Sequence, residues 1–329
     1  MSSTIHFAQV ETQHQYDDID FPSIIANKDN IDSIDVACNW VSTHLDQLKK
    51  ELAQSGVVLF RGFPLHSAED FDKFSAAFGY EGFTYKESLS NAVRLNFTKR
   101  VFTANEAPKD VEIFLHHEMA QTPISPDKLF FFCLSPADQG GATPVCRSDR
   151  LFKKMQEVAP ELAKAMEEKG LKYTTTMPGE NDENSGQGRS WKSTLDCADM
   201  ATAEDKLRQL GYSWKWEDDG SLKATTPVLP AVVELENGIK VFYNQLIAAY
   251  MGWKGVRENP SHAITYGDDS VIQAADLELI NSLSSEFTFD VDWQTADMAL
   301  VDNHMAMHGR RPYSGETKRQ VLVALGKGS

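Results

Sequence analysis

Apolar residues at Ile34, Ala37, Val41, Leu45, Leu48 and Leu52 recur every three or four positions, which predicts an amphipathic helix from Ile34 to Ser55. Gly56 ends it, and the run VVLFRGF (57–63) that follows is β-rich and closed by turn residues. A second helix is predicted from Ser67, a good N-cap, to Phe78, with Phe71, Phe74 and Phe78 on one face. Short strand-like segments then crowd the chain at 100–105, 112–119, 128–134 and 142–148. Residues 149–169 read as helical, with Pro160 dividing them into two pieces. A helical stretch near 202–210, strands at 228–235 and 239–243, a helix near 270–285 and strands at 286–291, 297–302 and 319–326 complete the pattern. Residues 1–30 are polar and mixed, and read as an extended lead-in. The segment 178–190 (PGENDENSGQGRS) lacks apolar side chains and must be a loop, long enough to be expected as an active-site lid or binding loop.

So many short strands predict a mainly β fold with flanking helices, its core a double-stranded β-helix, or jelly roll. No internal repeat or low-complexity linker divides the sequence, so residues 1–329 are expected to form one domain. Hydrophobic residues make up 41% of the chain, enough for a substantial core and too many for a disordered protein. The formal charge of −16 argues against nucleic acid as a partner, because phosphate binding draws on clustered Lys and Arg. Cys38, Cys133, Cys146 and Cys197 include no CxxC pair and read as free thiols of a reducing compartment. The first residues show no basic and apolar leader, and no apolar run reaches the roughly 18 residues of a membrane helix. A cytoplasmic location without membrane partners is the expectation.

The sharpest chemical signal is FLHHEM (114–119). Residues two apart in a strand share a face, so His116 and Glu118 converge while His117 points the other way. A His and a carboxylate on one strand can bind a metal if a third ligand comes from elsewhere, and DNHMAMHGRR (302–311) offers His304 and His308. Two histidines and one carboxylate leave coordination positions open, the arrangement of non-haem Fe(II) oxygenases. HxE alone is a weak signal, and its weight comes from what accompanies it. Arg319 opens the apolar strand RQVLVAL, where its planar fork suits the far carboxylate of a chelated keto acid. Thr143, in GGATPV (140–145), can add a hydroxyl to the same carboxylate.

Taken together, HHE (116–118), GGATP (140–144), DNHMAMH (302–308) and RRPYSGETKR (310–319) resemble the taurine-catabolism-type 2-oxoglutarate dioxygenases of the clavaminate-synthase-like group, in order and spacing. FTANEAP (102–108) and GRSW (188–191) look like the branch containing the syringomycin-biosynthesis hydroxylase. The resemblance runs from about Val57 to the C-terminus. It implies an enzyme using Fe(II), 2-oxoglutarate and O2, with His116, Glu118 and His308 as iron ligands and Thr143 and Arg319 on the 2-oxoglutarate C5 carboxylate. His304 then stands where the family has a non-ligand. Asp is commoner than Glu at position 118 in the wider family, and this shifts the expected substrate toward an amino acid or its derivative, free or tethered to a carrier protein. Hydroxylation in specialised metabolism is the expected outcome, with oxidative cyclisation or desaturation as alternatives using the same oxidant. The rival readings are a non-catalytic metal-binding jelly-roll protein and a zinc hydrolase, although the helical HExxH spacing common in the latter is absent. Candidates for substrate contact, on segments expected to border the open end of the barrel, are Arg94, Arg189, Ser190, Trp191, Asn244, Gln245 and Arg310.

Overall fold

The computed structural model describes residues 4–84, 89, 95–104, 107–181 and 189–328. Two β-sheets face each other and carry helices on their outer sides. The larger has eight strands, ordered Phe7–Ala8, Ser23–Ala26, Val57–Arg61, Met298–Asp302, Lys128–Ser135, Gln320–Lys327 and Glu81–Phe83, with Val101–Thr103 also pairing Gln320–Lys327. The smaller runs Thr288–Val291, Thr143–Arg147, Ala306–Arg310, Ile113–His116, all antiparallel.

Strand alternation explains why the large sheet's strands read as unbroken apolar runs. Val57, Leu59, Leu129, Phe131, Val301 and Val323 turn inward to meet Val145, Ala306, Phe289 and Val291 of the small sheet. Val58, Phe60, Phe130, Phe132, Leu300 and Leu322 turn outward under Val41, Leu48, Leu52, Phe71 and Phe74 of the early helices. The outer face of the small sheet, with Leu115, Cys146 and Met307, is covered by the helices Ser148–Val158, Pro160–Lys169, Leu246–Gly252 and Ala274–Ser284. Each sheet is thus buried on both faces where its central strands lie.

The helix predicted over 34–55 is two helices, Ile34–Thr43 and Leu45–Ser55, broken at His44, whose Nδ1–H donates to the Trp40 carbonyl at 2.8 Å. Gly56 ends the second with φ 82°, close enough to the small sheet that an added Cβ would lie 3.1 Å from the Met305 Cβ. Pro160 divides 149–169 as expected, at the first position of the second helix, where its missing N–H costs nothing. Residues 7–26 are extended but not merely a lead-in: Ser23–Ala26 pairs in parallel with Val57–Arg61, and Ile24 and Ile25 are buried. The expectation of a mainly β chain needs correction, because nine α-helices occur among the described residues and the architecture is mixed α/β. Three strands with weak sequence signals, Leu171–Met177, Ser213–Trp216 and Leu222–Thr225, join Ile264–Tyr266 in a separate four-stranded sheet. That sheet carries its own apolar cluster, including Met177, Trp191, Leu195, Leu207 and Leu222. Among the described residues no helix is long and apolar enough to cross a membrane.

Candidate active site

Strands Ile113–His116 and Ala306–Arg310 lie side by side, with His116 directly opposite His308. Directly opposed residues present their side chains on one face, and the two imidazole centroids stand 4.3 Å apart. Glu118 reaches the same point by a different route from the one expected. The strand stops at His116, so simple alternation does not place the carboxylate. A turn does, with Met119 in the left-handed region at φ 60° and the buried Asn303 side chain gripping the Glu118 backbone. Asn303 Oδ1 accepts from the Glu118 N–H at 2.8 Å, and its Nδ2 donates to the Glu118 carbonyl at 3.0 Å and to the Pro126 carbonyl at 2.8 Å. The Glu118 Oε2 consequently lies 3.7 Å from His116 Nε2 and 3.4 Å from His308 Nε2. One ligand atom from each of the three residues falls within 4.8 Å of the others.

The protonation states suit a cation. His116 Nδ1 faces the Phe114 carbonyl at 2.8 Å, which requires a proton on Nδ1 and leaves the Nε2 lone pair aimed at the centre. Burial by itself would raise the Glu118 carboxyl, yet in the metal-free protein His116 and His308 in their protonated form outweigh it and hold the group well below the usual carboxylate range; with a cation bound, the cation takes the place of those protons. His117, the first residue past the strand, points away from the cluster. It is fully buried, its Nδ1–H donates to the Asn303 carbonyl, and its Nε2 lies 2.8 Å from Ser148 Oγ and 2.9 Å from the Phe242 carbonyl. Burial pushes its imidazole down to about 3, so it is a neutral packing element. His304 stacks on Tyr243, with centroids 4.7 Å apart, and is not part of the three-residue cluster.

A cleft opens beside the cluster, its walls including Thr143, Phe131, Arg310, Arg319 and Val321. Arg319 is held there by donating from Nε to the Gly141 carbonyl at 2.8 Å, and its Nη2 comes within 3.5 Å of Thr143 Oγ1. Trp293 Nε1 donates to the same oxygen at 2.9 Å. With both approaches taken up as acceptor contacts, the Thr143 hydroxyl proton is left to donate. Burial, and then the nearby Arg310, push Arg319 down to about 10, still cationic at neutral pH. Among the described residues no carboxylate forms an ion pair with Arg319, so the cleft holds a half-buried positive charge suited to an anion.

Residues 26–325 match the profile of the family described as taurine catabolism dioxygenase TauD, TfdA. The chain belongs to the TauD/TfdA family of dioxygenases. It is 36% identical over 324 residues to a clavaminate synthase-like protein of Arabidopsis thaliana, covering 97% of each chain. It is 26% identical over 286 residues to the dapdiamide synthesis protein DdaC of Enterobacter agglomerans, covering 83% of each. Its fold is shared with PvcB, an Fe, alpha-ketoglutarate dependent oxygenase from an isonitrile synthetic pathway, at a TM-score of 0.53 and 12% identity, covering 94% of this chain and 86% of that one. As a TauD/TfdA enzyme the protein is an Fe(II)- and 2-oxoglutarate-dependent dioxygenase, which excludes the non-catalytic and zinc-hydrolase readings. The residues present fit that cofactor and co-substrate. Two imidazole nitrogens and an ionised carboxylate suit Fe(II), and an uncompensated guanidinium beside a donor hydroxyl suits a dicarboxylate.

The candidates for substrate contact in this TauD/TfdA enzyme fare unevenly. Arg310 does line the cleft, but its guanidinium donates to the carbonyls of Ala107, Pro108 and Val111 and so clamps the segment leading into the His116 strand. Asn244 and Gln245 lie against the turn that follows His116, the Asn244 carbonyl accepting from the His117 N–H. Asn244 donates to the Ala231 carbonyl, and Gln245 Nε2 donates to the His117 carbonyl at 3.1 Å. Ser190 caps the helix Trp191–Leu195, Arg189 bonds Ser193 of the same helix, and Trp191 is packed edge-on to Trp216. These side chains make structural contacts. Arg94, and residues 182–188 of the expected lid loop, lie outside the described residues. Asn303, Trp293 and Met119 were missed. Asn303 stands in the quoted DNHMAMH motif, but nothing in a single sequence distinguishes a clamp from a turn asparagine.

Proposed function

We propose that this dioxygenase hydroxylates an unactivated C–H bond of an amino acid or an amino-acid derivative in specialised metabolism. The observation that carries this reading is the opening of the His116–Glu118–His308 cluster and the Thr143–Arg319 pair into one cleft. In this reading His116, Glu118 and His308 hold the iron, and Arg319 and Thr143 hold the distal carboxylate of 2-oxoglutarate. The two facing sheets are then the double-stranded β-helix core, and residues 1–329 unfold as one unit. When bound, iron and 2-oxoglutarate with O2 supply an oxidant strong enough for a C–H bond, and 2-oxoglutarate leaves as succinate and carbon dioxide.

The protein's own part is orientation and exclusion of water. Asn303 fixes the backbone of Glu118, the Phe114 carbonyl sets the ring and tautomer of His116, and Phe131, packed 5.0 Å from the His308 ring, shields that ligand with an apolar wall. The Arg319 fork fixes one end of the co-substrate, so that its other end meets the three ligands in a defined orientation. The sequence similarity to a dapdiamide synthesis protein supports a biosynthetic role built on amino acids. The free cysteines support a cytoplasmic location. Incubation with Fe(II), 2-oxoglutarate and ascorbate should release succinate, stimulated by one or more members of a free and acylated amino-acid panel. His308→Ala should abolish that release and His304→Ala retain it. A panel that never stimulates succinate release in a protein able to bind 2-oxoglutarate would rule out the amino-acid reading.

A further inference from the structure

Trp293 is a buried side chain that neither the metal cluster nor the guanidinium of Arg319 accounts for. Its Nε1–H donates to Thr143 Oγ1 at 2.9 Å, and Arg319 Nη2 approaches the same oxygen at 3.5 Å. Among the described residues this oxygen meets those two donors and no acceptor. A hydroxyl has two lone pairs and one proton to place. With both donors on the oxygen, the proton is directed away from them, and the cleft that Thr143 and Arg319 line is where an acceptor can reach it.

An indole N–H donates and never accepts, so this contact cannot reverse as one from a serine or a carboxamide could. The fold also leaves the ring little freedom. Thr143 stands directly opposite Val291 on the neighbouring strand, two residues before Trp293. The ring is buried in the apolar cluster between the sheets, which includes Phe289, Val291 and Val321. Beyond it the chain turns, and the turn is pinned by an ion pair. Arg61 grips the buried Asp297 with two prongs, Nε to Oδ1 at 3.1 Å and Nη2 to Oδ2 at 2.7 Å. Both neighbours of Trp293 are tied to that pair. Arg61 Nη2 donates to the Asp292 carbonyl at 3.3 Å, and Asp297 Oδ2 accepts from the Gln294 N–H at 2.9 Å. The turn is tied to the large sheet as well, since the Ala296 N–H donates to the Cys133 carbonyl and the Cys133 N–H to the Asp297 carbonyl, each at 2.9 Å.

We propose that Trp293 is a positioning residue for the co-substrate: its N–H fixes the Thr143 hydroxyl as a donor toward the distal carboxylate of 2-oxoglutarate. This rests on the reading of Thr143 and Arg319 as the carboxylate anchor. Trp293 acts on 2-oxoglutarate only through Thr143. A hydroxyl held in that sense presents its proton to the anion from the start, whereas a free one presents a lone pair part of the time and repels it. The orientation is set before the co-substrate arrives, so binding does not have to restrict the rotor.

The test is a double-substitution cycle on the Fe(II) protein, titrated anaerobically with 2-oxoglutarate and read by charge-transfer absorption. Trp293→Phe keeps an aromatic ring and loses the N–H. It should raise the 2-oxoglutarate Kd about tenfold, the size of one hydrogen bond to a charged group, while Fe(II) affinity stays at the parent's value. Thr143→Val should also raise the Kd about tenfold, and the double variant no further, because without the hydroxyl the N–H has nothing to orient. A second variant, with 3-benzothienylalanine in place of Trp293, keeps both rings and lacks only the N–H. It should repeat the loss seen in Trp293→Phe, and it decides the matter if Trp293→Phe does not fold. Single effects that multiply to about a hundredfold in the double variant would make Trp293 a packing residue and overturn the proposal. So would a parallel loss of Fe(II) affinity, or parent-like binding without the N–H where Thr143→Val is impaired. No binding by the parent, or parent-like binding by Thr143→Val, would overturn the anchor reading and the role of Trp293 with it.

Discussion

Asn303 shows how much of the site depends on one uncharged side chain. It satisfies the Glu118 N–H, the Glu118 carbonyl and the Pro126 carbonyl at once. Asn303→Ala strands those buried groups at about 1–3 kcal/mol each before relaxation, so a loss of roughly 2–4 kcal/mol in urea unfolding is expected. Because the clamp also sets the carboxylate, Fe(II) affinity should fall about 10–100-fold, as for other partners that orient metal ligands. A variant that unfolds earlier yet binds Fe(II) like the parent would show Asn303 to be a packing residue only. His117 gives a pH test. Its imidazole sits at about 3 in the folded protein against 6.5 as the ordinary value, so between these the unfolded chain binds the extra proton. Its contribution is therefore complete above about pH 6.5 and is lost as pH falls toward 3, by about 2 kcal/mol between pH 7 and pH 5. Unfolding of the metal-free protein at those two pH values should show a shallower loss in His117→Gln than in the parent. Equal slopes would mean that His117 does not titrate on unfolding.

At the level of elements, the pairing of His116 with His308 requires two strands to pack closely. Gly309 makes that possible: a Cβ there would lie 2.4 Å from the Ile113 carbonyl oxygen and 3.2 Å from Pro144 Cγ. Gly309→Ala should force the strands apart, costing about 1–3 kcal/mol, and weaken Fe(II) binding about tenfold through displacement of His308. Calorimetric melting together with Fe(II) titration checks both effects, and parent-like iron affinity would contradict the close-packing account. The helices under the large sheet were legible because their apolar positions repeat at about 3.6 residues, and the strand Lys128–Ser135 because its short unbroken apolar run is bounded by polar residues. The strand Ala306–Arg310, which carries His308, was not. Its run AMHGR contains a glycine and two polar residues that only the cleft and the neighbouring strand accommodate. Ser23–Ala26 escaped notice because a four-residue strand has too few positions to show a period.

Over the whole molecule, the site is assembled from residues nearly 200 positions apart that neighbouring strands of two facing sheets bring to one cleft. The sequence pointed to His116, Glu118, Thr143 and Arg319 through their residue types and spacing, and to His308 over His304 through the resemblance to a known family, and the structure gathers all five around that cleft. The substrate candidates were poorly legible for the opposite reason. Arginines, amides and tryptophans serve packing as readily as recognition, and Arg310, Asn244 and Trp191 do the former. What distinguishes Arg319 from Arg310 is visible only in three dimensions: Arg310 is committed to three carbonyls, whereas Arg319 makes one carbonyl contact and faces the cleft without a carboxylate partner. The most direct measurement is therefore an anaerobic titration of the Fe(II) protein with 2-oxoglutarate, followed by the charge-transfer absorption of a chelated keto acid. The parent should saturate, and Arg319→Ala should bind about a hundredfold more weakly or worse, since loss of one partner of a buried charge pair typically costs about 3–5 kcal/mol. Arg319→Lys should recover only part of that loss. Parent-like binding by Arg319→Ala would contradict the anchor, and no absorption change in the parent would contradict the assignment of the three ligands with it.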